Sequence, residues 1–301
     1  MNPILEKALL RAQEGDPGAL AEFGFERHTL KGPGIPGDGN EWEERMTLTG
    51  EGVLRLSKNR SIGDISSEAI GAYRRQAGRE VVGRLIRMLR ETRWEELPRF
   101  RVEPADTRIR IHMAAAGVID ETVVGFRDPM AIRPVKPLLQ ELDRLAASLA
   151  ADPVRTLRVD LQMPRAARVA KMRLPVTLRF RNDGPEGYWL THPKALARAL
   201  RWEQCGLVYG RQPELVPGFT PPAIERQQAA LEPAEEDVRD LLWVRGAAEI
   251  AMRFTCVLEP AQAGRYLARA VYSTYQGEDR VAGRPRLRGC SFSNEVEIEV
   301  A

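Results

Sequence analysis

Apolar positions in the first half of the chain alternate between helical and strand-like spacing. Ile4, Ala8, Leu9 and Ala12 recur at helical intervals, which predicts a short helix over 3–13, ended by Gly15-Asp16-Pro17-Gly18. Residues 23–30 alternate as a strand. The stretch that follows, Lys31-Gly-Pro-Gly-Ile-Pro-Gly-Asp-Gly39, fits no regular element. Residues 42–49 and 53–56 flank Gly50-Glu51-Gly52, where glycine supplies the positive φ of a tight hairpin. Val81, Val82, Leu85, Ile86 and Leu89 form one stripe of a helix over 80–93, with arginines on its other side. Residues 107–113 and 121–126 read as a second hairpin across 114–117. Leu138, Leu139, Leu142, Leu145 and Leu149 then mark a helix over 135–149, stopped by Ala151-Asp152-Pro153.

Beyond Pro153 helical spacing becomes scarce. Residues 157–162, 174–181, 248–258, 264–272 and 295–300 alternate as strands joined by Pro- and Gly-rich connections, the pattern of a β-sandwich. Residues 196–240 carry Pro213, Pro217, Pro221, Pro222 and Pro233, and leave edge strands, a long loop and a short helix over 222–231 all open. The expected architecture is an α+β domain over 1–152, an antiparallel sheet covered by helices with a short N-terminal helix. An all-β immunoglobulin-like sandwich over 153–301 follows it. A length of 301 residues, too long for one ordinary core, agrees with two domains.

Charge narrows the partners. The 45 basic and 42 acidic residues, net +3, are spread along the whole length, which argues against a nucleic-acid partner. Residues 1–13 lack the basic start and apolar stretch of a signal peptide, and no apolar run approaches the ~20 residues of a membrane span. A cytoplasmic protein without a membrane partner is expected. Cys205, Cys256 and Cys290 are odd in number and far apart, so they spell neither a disulfide framework nor a zinc motif.

Candidate chemistry is sparse. His28, His112 and His192 have no metal-ligand spacing, and His112 is expected on a solvent-facing strand position beside arginines. Cys205 and Cys256 read as small core hydrophobes. The paired carboxylates Glu43-Glu44, Glu95-Glu96 and Glu235-Glu236-Asp237 read as solvated surface. Lys31 to Gly39 lacks the Gly-Lys-Ser/Thr ending of a phosphate loop. The expectation is a non-enzymatic protein with no metal or cofactor. Its partner contacts are assigned to His28, Lys31, Gly32, Pro33, Gly34, Ile35 and Pro36, because binding residues concentrate on loops held by rigid scaffolds.

The order of elements carries a resemblance. A strand ending in Arg27-His28-Thr29-Leu30-Lys31-Gly32-Pro33-Gly34, a hairpin around Gly50-Glu51-Gly52, a helix, strands beginning beyond Pro104-Ala105-Asp106 and a closing Leu-rich helix resemble the emfourins, small bacterial inhibitors of thermolysin-type metalloproteases. The resemblance is one of layout and covers roughly residues 20–150. Pro260-Ala-Gln-Ala-Gly-Arg-Tyr-Leu-Ala-Arg-Ala-Val-Tyr272 and Ser293-Asn-Glu-Val-Glu-Ile-Glu-Val300 resemble the final hairpin of bacterial immunoglobulin-like sandwiches, a fold shared by intracellular proteinase inhibitors. The resemblances imply a protein-binding, protease-inhibitor-like protein with a metalloprotease as partner. The alternative is a structural or accessory subunit of a larger assembly.

Overall fold

Strands dominate the chain and helices are few. The computed structural model describes residues 2–31, 42–59, 69–96, 107–126, 133–168, 171–197, 204–211, 227–233, 240–274 and 278–301. Two compact units form, one from residues 1–58 and 72–154, the other from 59–71 and 155–301. The chain passes between the two units three times, after Lys58, Gly71 and Val154.

The first unit holds β1 (Gly24–Lys31), β2 (Trp42–Thr49), β3 (Val53–Lys58), β4 (Ile70–Gln76), β5 (Thr107–Ala115) and β6 (Val118–Phe126), in the order β6-β5-β1-β2-β3-β4. Its helices are α1 (Pro3–Gln13), α2 (Pro17–Glu22), α3 (Arg79–Glu91) and α4 (Lys136–Ser148). Strand alternation turns Phe25, Met46, Leu48, Leu54, Leu56, Ile111 and Met113 to one face. There they share a core with Leu5 and Leu9 of α1, Leu85 and Ile86 of α3, and Leu138 and Leu142 of α4. Each such side chain, fully buried, contributes about 1.5–3 kcal/mol.

Gly15-Asp16-Pro17-Gly18 does more than end α1. Gly15 takes φ 87°, while the Asp16 carboxylate accepts a hydrogen bond from Ala19 N at 3.0 Å and Pro17 occupies the first position of α2. The stop signal is also a start signal. In the β2–β3 hairpin Gly52 has φ 84°, as the turn requires. A Cβ on Gly50 would lie 1.8 Å from Leu20 O, so a side chain there has no room.

The second unit contains β7 (Pro153–Gln162), β8 (Ala166–Ala167), β9 (Met172–Arg181), β10 (Tyr188–Thr191), α5 (Pro193–Leu196), β11 (Gln204–Arg211), β12 (Gln227–Pro233) and β13 (Leu241–Val244). It continues with β14 (Glu249–Leu258), β15 (Gly264–Thr274), β16 (Arg280–Val281), β17 (Arg284–Pro285), β18 (Gly289–Phe292) and β19 (Val296–Val300). The main path runs β7-β9-β14-β12-β11-β15-β19-β8. Residues 227–230 of β12 pair with β11, and residues 231–233 pair with β14. One strand thus passes between two groups of strands, as corner strands do. Phe180, Tyr188, Cys256, Tyr272 and Ile298 fill a single core among them.

The helix left open over 222–231 does not form across 227–231. Ala229 and Leu231 are buried while Gln228 and Ala230 are exposed, a two-residue period set by pairing on both sides. Tertiary pairing overrides the helix propensity of Gln-Gln-Ala-Ala-Leu. Asn182, 1% exposed, ties the loops nearby: its Oδ1 accepts from Thr156 N and Gly184 N, and its Nδ2 donates to Glu186 O and Arg245 O.

Candidate functional site

Lys31 and Trp42 pair in register, so the segment 32–41 leaves and re-enters one antiparallel strand pair. The stem of that segment is fastened on both faces. On the covered face Thr29 lies opposite Glu44, and Glu44 opposite Lys58. Arg27 Nη2 donates to Glu44 Oε1 at 2.5 Å, and Arg27 Nη1 to Asp143 Oδ1 of α4 at 2.6 Å. Lys58 Nζ stands 3.6 Å from Glu44 Oε2. Arg27 is 2% exposed and Glu44 6%, so this pair occupies core positions. A planar guanidinium with carboxylates at two of its nitrogens is the ion best suited to such a place.

On the open face His28 Nε2 lies 2.7 Å from Glu43 Oε1, its side chain mostly covered. Arg45 and Arg110 are its cross-strand neighbours. Further along, Glu26 faces His112 in register and stands 3.4 Å from Arg45 Nε. His112 Nδ1 is 3.4 Å from Glu121 Oε2 of β6. Acidic and basic side chains alternate across β2, β1, β5 and β6, an arrangement that ties strands together and offers a polar, half-exposed surface. Adjacent Glu43 and Glu44 therefore have different fates, because strand alternation sends them to opposite faces. The solvated reading suits Glu43, which is 40% exposed at its side chain. It fails for Glu44, which the Arg27 and Lys58 cations hold inside.

No protein-family model matches the chain, and no curated protein matches it.

Of the residues assigned to partner contact, His28 stands at the stem on the side facing Glu43, three positions before the last β1–β2 register pair, Lys31 with Trp42. Lys31 ends β1. Gly32, Pro33, Gly34, Ile35 and Pro36 lie outside the described residues. Sequence reasoning singled out His28 and missed its partner and the Arg27–Glu44–Asp143 group. A signal for the latter exists: in Phe25-x-Arg27-x-Thr29 and Glu44-x-Met46-x-Leu48 a charge falls where alternation demands an apolar residue.

Cys205, Cys256 and Cys290 are all buried. Burial pushes the Cys205 thiol well up and the Cys256 thiol up to about 11. Both are held away from the thiolate that nucleophilic chemistry uses. His192 caps α5, its Nδ1 accepting from Lys194 N at 3.2 Å, and burial, assisted by the Lys194 charge, lowers its pKa. Among the described residues no group of three His, Cys, Asp or Glu is placed to hold a metal. No described helix is long and apolar enough to cross a membrane.

Proposed function

We propose that this chain is a non-catalytic protein-binding protein of the protease-inhibitor type. In this reading an α+β domain over 1–152 presents His28, Lys31, Gly32, Pro33, Gly34, Ile35 and Pro36 to a partner's cleft. An immunoglobulin-like sandwich over 153–301 accompanies it, and the protein resides in the cytoplasm. The observation that carries the reading is the double fastening of the β1–β2 stem, by Arg27–Glu44–Asp143 on one face and His28–Glu43 on the other. A contact segment whose ends are fixed in advance loses less conformational entropy on docking. The resemblance of the element order to that of emfourins makes a thermolysin-type metalloprotease the partner to test. Titrating such a protease with the protein while following peptide hydrolysis gives a falling rate under this reading, and a rate unchanged at saturating protein removes it.

The accessory-subunit reading draws support from a different observation. Among the described residues β6 pairs with β5 alone, and its Ile119 is 74% exposed. Pairing of that edge with a neighbouring subunit covers both the free backbone groups and the isoleucine. Sedimentation equilibrium over a range of concentrations tests it: an assembly abolished by Ile119→Lys supports the reading, and a monomer at all concentrations opposes it.

A further inference from the structure

In the second unit three short segments lie side by side: β10, β13, and the stretch 284–288. Tyr188 and Leu190 of β10 turn inward, as does Leu287, which is 6% exposed in the same core. Alternation therefore places Trp189, Thr191, Arg284, Arg286 and Arg288 on the outer side. Trp189 pairs in register with Trp243 of β13, and the two rings meet edge to face with centroids 5.1 Å apart. Arg286 is bridged to Trp189 through the backbone, and its Nη2 donates to Thr191 Oγ1 at 2.8 Å. The Arg284 guanidinium carbon sits 4.8 Å from the centre of a Trp243 ring. Gly187 makes this possible, since a Cβ there would lie 2.5 Å from Trp243 Cζ2. Arg245 follows two residues beyond Trp243.

Among the described residues Arg245, Arg284 and Arg286 enter no ion pair, unlike Arg288 beside them, which pairs with Asp279. Three acids near these segments in sequence are engaged elsewhere: Asp279 pairs with Arg288, Asp183 with Arg158 and Arg181, and Glu186 with Arg155. Tryptophan and arginine together form the composition most enriched at the energetic centres of protein interfaces. Stacked on indole faces, guanidiniums keep their N–H edges free for carboxylates.

We propose that the Trp189–Trp243–Arg284–Arg286 face, with Arg245, is a docking surface for an extended acidic peptide segment of a partner protein. A single-stranded nucleic acid fits it less well. Its bases need open aromatic faces to stack on, whereas Arg284 occupies a Trp243 face and Trp189 meets Trp243 edge to face. This surface is independent of the β1–β2 stem and goes beyond the inhibitor reading.

The test measures binding of a fluorescein-labelled poly-glutamate peptide to the full chain by anisotropy, with labelled oligothymidylate as competitor class. The peptide binds, and Arg284→Glu weakens it by roughly tenfold or more, the range of a hot-spot arginine. Arg245→Glu, at an exposed side chain, weakens it in the same direction and serves should Arg284→Glu fold poorly. Arg173→Ala, which removes an arginine paired with Glu232, leaves binding unchanged. A chain lacking residues 32–39 binds the peptide like the parent, which separates this surface from the stem. Absence of peptide binding, binding by both charge-reversed variants as tight as that of the parent, or tighter binding of oligothymidylate than of peptide overturns the proposal.

Discussion

Arg27 and Glu44 meet at 2.5 Å between Nη2 and Oε1, on neighbouring strands, with side chains 3% and 7% exposed. Removing one member of such a pair leaves the other charge buried, which destabilises by about 3–5 kcal/mol. Arg27→Met is expected to lower the unfolding free energy by that amount in urea. Arg27→Met combined with Glu44→Leu regains a substantial part, because two apolar side chains in place of the ions leave no orphaned carboxylate. Equal stability of parent and single variant would show that the pair does not hold β1, β2 and α4 together.

His192 sets a pH dependence of stability. Burial, and then the charge of Lys194, holds its folded-state pKa below the unfolded value of about 6.5. In the interval between the two values the unfolded chain binds more protons, so stability rises with pH. The contribution is complete above the unfolded value and is lost as pH falls toward the folded one. Protonation of Nδ1 also removes the acceptor for Lys194 N. The resistance of the parent to thermal unfolding is expected to weaken as pH drops below neutrality, and His192→Asn, which keeps a cap acceptor, to flatten that slope. An unchanged slope in the variant assigns the effect elsewhere.

The thiols report opening of the second unit. Cys205 is 2% exposed, Cys256 0% and Cys290 5%. With the Cys256 thiol pushed up to about 11, thiolate at neutral pH is scarce even where reagent reaches it. A disulfide-forming colour reagent is expected to label the folded protein slowly, at a rate that rises with urea in step with unfolding. Immediate labelling of one thiol before any urea is added contradicts this placement.

Long amphipathic elements were legible because their burial period matches their geometry. Val82, Leu85, Ile86 and Leu89 of α3 and the run Trp42–Thr49 of β2 are cases. β4 escaped because its buried Ile70 and Tyr73 are spaced by three, and Gly71, with φ 134°, interrupts the alternation. β10 and β13 are four residues each, too short to display a period. β12 hides a strand in helix-favouring residues, and only pairing with both β11 and β14 decides it. At the stem, His28 was visible as a polar residue beside a glycine-rich run. Glu44 was not, since adjacency to Glu43 suggested a solvated pair while alternation separated them by a whole sheet. The arginine–tryptophan face joins residues about a hundred positions apart along the chain, from Trp189 to Arg286.

Under the proposed function the β1–β2 stem presents its connecting segment to a partner protein. The most direct test titrates a thermolysin-type metalloprotease with the full chain and, in parallel, with a chain lacking residues 32–39, following hydrolysis of a peptide substrate. The full chain is expected to bring the rate down to a plateau, and the shortened chain, with the same unfolding midpoint in urea, to leave it untouched. Hydrolysis that proceeds undiminished at saturating full chain, or inhibition that survives the deletion, contradicts it.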